Sequence, residues 1–404
     1  MLSKVAFRNI FRNTRRSSIT LLVLVFGVTA LILFGGYKEI SFYGIREGFI
    51  RGRLGHLQIY QRGYLNGDST KPLENGLDDV QALRGTIEHD PRVQMTAAQI
   101  SLMGLVTNGD KSEAFIATAV EPAKDKAMPA QRMTSGSFLS DEDHDAVIIG
   151  EPLARSLKVK PGDYLTLMTT TVSGSLNGMD VRVSGIFSTG MKEYDERAIK
   201  MPLVAAQKLL HTTKVEKLLV MLKDTKDTAA AQHDLEALFA SRHLPLEMRN
   251  WSDLATYYHQ VVMLYNGIFG FLGLVIFAIV VLSVANTIMM STFERTREIG
   301  TMMAIGTERR QILAVFLLEG LFVGILGGVS GLLLGGALAE AINHAHLQLP
   351  PPPGYTEGVA FRIMLNASIL EVAFVLAAAT ATAASIFPAL KASRMKIVDA
   401  LGHI

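Results

Sequence analysis

The stretch Leu254–Phe293 reads LATYYHQVVMLYNGIFGFLGLVIFAIVVLSVANTIMMSTF and holds no Asp, Glu, Lys or Arg. A bilayer core of about 30 Å needs roughly 20 apolar residues of helix. As one helix, Tyr258 to Phe293 would reach about 54 Å at 1.5 Å per residue. Either the surplus turns rise out of the membrane as a stalk, or the helix tilts and gives way to a loop. Three other stretches are also long enough to cross: Ile19–Tyr37, Ile312–Ala339 with the single acid Glu319, and Val372–Leu390 with no charge. Past the first span, Ile40, Tyr43 and Phe49 keep roughly helical spacing through residues 39–53. The first span is longer than a signal-peptide core and no small-x-small site follows it, so it reads as an uncleaved anchor.

The whole composition agrees with a membrane protein. Of 404 residues, 49% are hydrophobic and 19% charged, with mean hydropathy +0.28; soluble domains carry about 25% charge. A net charge of +2 argues against a nucleic-acid binder. The absence of Cys excludes disulfides, Cys-ligated zinc, iron–sulfur clusters and thiol chemistry. Lys4, Arg8, Arg12, Arg15 and Arg16 precede span one, Arg295, Arg297, Arg309 and Arg310 lie between spans two and three, and Lys391, Arg394 and Lys396 follow span four. The loop between spans three and four has only Arg362. By the positive-inside bias, both termini and the second loop are expected in the cytoplasm, and the long middle segment outside.

The expected fold is therefore an α-helical membrane protein with four transmembrane helices and a large α+β extracytoplasmic domain between helices one and two. Its expected division is a basic cytoplasmic helix (1–18), span one and stalk (19–45), the outer domain (46–255), and stalk and span two (256–293). A cytoplasmic helix (294–311), span three (312–339), an outer loop (340–367), span four (368–390) and a cytoplasmic tail (391–404) follow. In the outer domain, residues 99–107 and 113–120 flank the hairpin turn Asn108-Gly109-Asp110. Residues 56–60, 146–149, 164–170 and 181–187 read as strands, and 151–157, 204–210 and 228–241 as helices, in what reads as two lobes. Gly320, Gly324 and Gly328, and again Gly327, Gly331 and Gly335, recur four apart. Such a stripe lets helices approach closely, within the chain or between subunits.

Motifs for catalysis are missing. There is no P-loop, no Gly-Lys dipeptide, no G-x-S-x-G and no H-E-x-x-H. His344 and His346 form a loop pair that reads as solvated, and the acidic run around Asp141 and Asp145 reads as a solvated turn. No metal site and no bound cofactor are expected. Two polar residues lie within spans, Asn286 and Glu319. A carboxylate at such a place is costly, so Glu319 either pairs with Arg309, Arg310 or a neighbouring helix, or takes part in conformational coupling. Leu21, Leu24, Val28 and Leu31 share a face of span one, which is either a lipid-facing stripe or a wall that receives apolar cargo.

After span two the chain runs Glu294, Arg295, Thr296, Arg297, Glu298, Ile299, Gly300, Thr301, Met302, Met303, Ala304, Ile305, Gly306. This is a short amphipathic helix with Ile299, Met302, Met303 and Ile305 as its apolar face and Gly306 as its stop. On these residues alone it is a solvated connector or a docking element. The stretch closely resembles the coupling loop of permeases in the MacB/FtsX-type (type VII, mechanotransmission) ABC transporter superfamily, where Glu294 to Gly300, Ala304 and Gly306 match the signature. Phe7 to Asn13, with Arg15, Arg16 and Thr20, resembles the basic helix that leads into the family's first span. Pro388-Ala389, Ala392 and Val398 to Leu401 resemble its C-terminal motif. The outer-domain segments 147–150 and 183–187 fit the family more loosely, and 43–60 looks similar to the lipoprotein-releasing (LolC/LolE-like) branch.

The resemblance implies a bacterial inner-membrane permease without enzymatic activity of its own. A cytoplasmic ABC ATPase dimer, a separate chain carrying ATP and Mg, would push on residues 294–306, and the long helices would move the outer domains. A second copy or a paralogue would complete the dimer. The expected activity is extraction of amphiphilic cargo such as lipoproteins, with a periplasmic carrier or lipoprotein as partner. Efflux with a periplasmic adaptor, or regulation of a periplasmic partner without transport, remain open alternatives.

Overall fold

Unbroken apolar runs give unbroken helices. The computed structural model describes residues 6–9, 14–66, 73–128, 131–351, 356 and 358–395. Among the described residues, four helices are long and apolar enough to cross a bilayer. Span one lies in Thr14–Phe49, span two in Thr256–Glu294, span three in Arg309–His344 and span four in Ala367–Ser393. The uncharged run is thus one helix of 39 residues from Thr256, with Leu254 ending a separate short turn, Trp251–Leu254. The first helix also continues past its apolar part, to Phe49, and then loosens into one π-helical segment, Ile50–Leu54. Span three starts where the Glu308 N–H donates to the Gln311 side chain at 3.1 Å. Pro388 sits inside the fourth helix, where lipid-embedded neighbours tolerate it.

The chain divides into two compact units, residues 1–43, 260–349 and 360–404, and residues 44–259 and 350–359. In the first unit, both glycine series pack within the chain. A Cβ on Gly320 or Gly324 would come within 2.7 Å of Ser385 or 2.8 Å of Ala378, both on span four. On Gly327 or Gly331 it would come within 2.7 Å of Leu24 or 2.6 Å of Val28, both on span one. The bundle core accordingly holds Leu24, Val28 and Ile32 with Val280, Val284, Ile288, Phe316 and the alanines of span four.

That packing takes up part of the face of span one on which a cargo wall was expected. Leu24 and Val28 are 1% and 2% exposed, seated against glycines, and Leu21 and Leu31 are half-buried. The face of span one that looks out of the chain instead carries Ile19, Leu22, Phe26 and Phe34.

The second unit is the α+β domain. Its strands are β1 (Leu57–Gln61), β2 (Val93–Thr107), β3 (Ser112–Val120), β4 (Arg132–Gly136), β5 (Ala146–Gly150), β6 (Tyr164–Thr170), β7 (Leu176–Ser188), β8 (Ala198–Pro202), β9 (Lys217–Leu222) and β10 (Leu246–Asn250). They pair in the order β10-β1-β9-β2-β3-β8-β5-β7-β4, with β6 joining β2 to β7. The pairings β2-β3-β8-β5-β7-β6-β2 therefore close into a ring. The early part of β2 instead pairs with β9, in the smaller open sheet β10-β1-β9-β2. Strand β2 belongs to both lobes. Its turn into β3 is the expected one: the Asn108 side chain accepts from the N–H groups of Asp110 and Lys111, and Gly109 takes φ +97°.

Candidate functional site

The polar groups of the first unit gather where span two ends. Its helix stops at Glu294, Arg295 departs from helical geometry (φ −109°, ψ 12°), and a new helix runs over Thr296–Ala304. The apolar stripe of this elbow helix recurs at Ile299 and Met303, both buried, and Arg295 lies one turn before them on the same face. Arg295 is therefore drawn inward, to 9% exposure. Its Nη1 donates to Glu319 Oε1 at 3.1 Å, and its Nε donates to Glu298 Oε2 at 3.2 Å. Asn9, on the short described piece of the N-terminal helix, also donates to Glu319 Oε1. Phe7 stacks edge-on against Phe322 beside it, with centroids 5.8 Å apart.

Glu319, 6% exposed, is thus the point where three segments meet: the N-terminal helix, the elbow and span three. Of the partners the sequence suggested, Arg309, Arg310 or a neighbouring helix, the structure has the last: the partner is Arg295, and Arg309 and Arg310 are exposed. The signal was present in the sequence: a charge at position 295 repeats with Ile299 and Met303 at helical spacing, and a charge in an apolar stripe needs a buried partner.

The opposite face of the elbow is open. Glu294, Arg297, Thr301, Ala304, Ile305 and Gly306 are exposed, as are Glu308, Arg309 and Arg310 just beyond. Ile305, expected in the apolar face with Ile299, is 81% exposed because it follows the last helical turn. Thr296 and Gly300 are buried and Met302 is half-buried, so these sequence-selected residues hold the helix in place and do not lie on its surface. Asn286 is exposed and has no hydrogen-bond partner among the described residues. Near the elbow, Thr20 of span one and Thr287 of span two share a hydroxyl hydrogen bond.

The elbow closes with a two-bond glycine cap. Gly306 N–H donates to Met303 C=O at 3.1 Å and Thr307 N–H to Met302 C=O at 3.0 Å, with Gly306 at φ +103°. No β-branched residue takes that conformation without strain. Gly306→Val is expected to cost about 1–3 kcal/mol and to unwind the last turn. Because a Cβ there meets nothing within 4 Å, the loss is conformational, and Gly306→Asn should recover most of it. Thermal unfolding of the three forms in detergent is the measurement; equal midpoints for Val and Gly would refute the cap.

Residues 396–404, which contain the C-terminal motif from Val398, and residues 10–13 lie outside the described residues. Among the described residues no group of three His, Cys, Asp or Glu could hold a metal ion.

The matches to family models cover both units. Residues 17–238 match the MacB-like periplasmic core domain, and residues 270–397 match the FtsX-like permease C-terminal domain. The chain belongs to the MacB/FtsX-like family of ABC permeases. A macrolide export ATP-binding/permease protein MacB of Bdellovibrio bacteriovorus is 23% identical over 98% of this chain and 61% of its own length. A pyoverdine export ATP-binding/permease protein PvdT of Pseudomonas entomophila is 26% identical over 98% of this chain and 59% of its own. A lipoprotein-releasing system transmembrane protein LolE of Haemophilus influenzae is 24% identical over 80% of each. The chain spans about three fifths of the length of the MacB and PvdT relatives. Both matched domains of this permease are membrane or periplasmic ones, and neither is an ATPase.

Proposed function

We propose that this permease passes the force of ATP hydrolysis, supplied by a cytoplasmic ABC ATPase dimer, through the elbow at residues 294–306 to its periplasmic domain. The observation that carries the reading is the two-sided elbow. One face is locked to span three through Arg295 and Glu319, and the other presents Glu294, Arg297 and Ile305 to a partner. A force received on the open face enters the bundle through a buried ion pair instead of being lost in a loose loop. ATP and Mg belong to the ATPase and none to these residues. The termini and the elbow are assigned to the cytoplasm from the basic loops, in a bacterial inner membrane, with a second copy or a paralogue completing the assembly.

The cargo we favour is amphiphilic, such as lipoproteins. The 80% match in both directions to a lipoprotein-releasing protein supports it, as do the apolar residues that look outward from spans one and two. A periplasmic carrier then receives the cargo. Export with a periplasmic adaptor is the second reading, supported by the names of the MacB and PvdT relatives.

Reversing the exposed charge in Arg297→Glu should lower ATPase association by about tenfold, as expected for loss of a charged docking contact, and leave the protein's thermal midpoint unchanged. Co-purification of the ATPase from membranes and ATP-driven release of labelled lipoprotein measure the two halves. Full association and release in Arg297→Glu and Glu294→Arg alike would sink the docking face.

A further inference from the structure

The end of the first long helix carries a second polar construction, inside the periplasmic domain. After Phe49 the helix widens into the π-helical segment Ile50–Leu54, an irregularity that recurs at functional positions. Gly55 N–H closes the segment on Ile50 C=O at 2.8 Å, and the chain enters β1 one residue after His56. This early exit takes away the ladder partner that the last residue of β9 would have had on that side. The His56 ring replaces it: Leu222 N–H donates to Nδ1 at 3.0 Å.

That bond fixes the imidazole. A backbone N–H can only donate, so Nδ1 must be an unprotonated acceptor, and the ring proton sits on Nε2. Nε2–H then donates to Thr225 Oγ1 at 3.0 Å. With its oxygen accepting, the Thr225 hydroxyl donates to Glu47 Oε1 at 2.8 Å. The other carboxylate oxygen of Glu47 accepts from Arg51 Nε at 2.9 Å. Every donor and acceptor in the series has one consistent direction. His56 has no exposed surface, and burial pushes its pKa down to about 4, which keeps the ring neutral.

We propose that Glu47, Thr225 and His56 form a clutch that fixes the outer end of the first long helix to strand β9, so that movement of the helix is delivered to the periplasmic sheet without slip. The inference rests on the mechanical reading above and names the residues that complete it. These are positioning residues: none touches cargo or nucleotide. Strand β9 is the suitable anchor because it pairs on both sides, with β1 and β2, and β2 continues into the ring of the second lobe. A pull at Glu47 therefore reaches both lobes through paired strands.

The test uses Thr225→Val, which keeps the shape and removes the hydroxyl, with Thr225→Ser to restore it. Since the chain has no cysteine, Gly48→Cys and Ala237→Cys can carry a spin-label pair across the joint; a side chain at Gly48 meets nothing within 4 Å. The full permease is reconstituted with its ATPase in vesicles, with and without ATP. Loss of the hydroxyl removes two bonds, one of them charge-assisted, and should shift the joined-to-parted equilibrium by about tenfold or more. The label distances should be narrow in the parent and in Thr225→Ser, and broad or doubled in Thr225→Val, with ATPase association unchanged. Thr225→Val should also turn over ATP while losing cargo release. Narrow distances and normal release in Thr225→Val overturn the clutch. A parent protein with narrow distances that broaden in Thr225→Val, but no ATP-driven movement of its periplasmic domain, keeps the joint and overturns the mechanical reading instead.

Discussion

Arg295→Met should destabilise the permease by about 3–5 kcal/mol, the cost of leaving one member of a buried ion pair unpaired. Glu319 is 6% exposed and its carboxylate has two donors, Arg295 and Asn9. Without Arg295 the charge keeps one neutral donor in a poorly solvated place. Glu319→Gln should cost less, because the amide oxygen can still accept from both donors and Arg295 retains Glu298 at 3.2 Å. The double variant Arg295→Met, Glu319→Leu should regain most of the stability, since an apolar pair of similar volume often serves as well as a buried ion pair. It should not regain coupling, because the directional bond from elbow to span three is gone. Thermal unfolding in detergent and ATP-driven release separate the two effects. If Arg295→Met costs no more than Arg309→Met, which alters an exposed site, the ion pair contributes nothing. If the double variant couples normally, the elbow acts through its apolar contacts alone.

This pair also marks the limit of what the sequence disclosed. Four spans and an intervening α+β domain followed from unbroken apolar runs and from one mixed segment, and the structure has them. Residues 151–157, 164–170 and 228–241 form the expected elements to the residue, because Pro152, Gly162 and Asp227 punctuate them. Sequence reasoning missed β4, β8, β9 and β10, and the helix Val80–Ile87. Ala198–Pro202 is buried throughout, so it lacks the alternation that identifies a half-buried strand. Strand β9 is buried except at its first residue, for the same reason. The inward turn of Arg295 was missed for a different cause. Alternating charge reads as a solvated connector or a docking element, whereas helical spacing sends Arg295 in and Arg297 out. The partner of each buried group lies far along the chain, Glu319 for Arg295 and Thr225 for His56. Local pattern can show that a partner is needed but cannot name it.

Gly331→Ala should weaken the bundle by about 1–3 kcal/mol, although Ala is the better helix former by about 1 kcal/mol. The added Cβ would lie 2.6 Å from Val28 Cβ and 3.2 Å from the Val25 carbonyl oxygen. Neither is the end of a flexible side chain, so spans one and three must move apart. In lipid there is no hydrophobic effect to hold them, and contact dispersion falls off steeply with a gap of 0.5–1 Å. Gly324→Ala should behave alike against span four, where Ala378 Cα is 2.8 Å away. Gly336→Ala is the control: nothing lies within 4 Å of its Cβ, so propensity alone should make it neutral or slightly stabilising. The second-site test is sharper still. Val28→Ala retains the Cβ that clashes and should not rescue Gly331→Ala, whereas Val28→Gly removes it and should. Thermal midpoints of these variants in one detergent decide the matter. Equal loss in Gly331→Ala and Gly336→Ala would mean that glycine flexibility, not close approach, is what the third span uses. Rescue by Val28→Ala would place the contact further out on the side chain than the structure has it. The first of these results would separate span one from span three as independent helices and remove the rigid path by which a push on the elbow could reach the first helix.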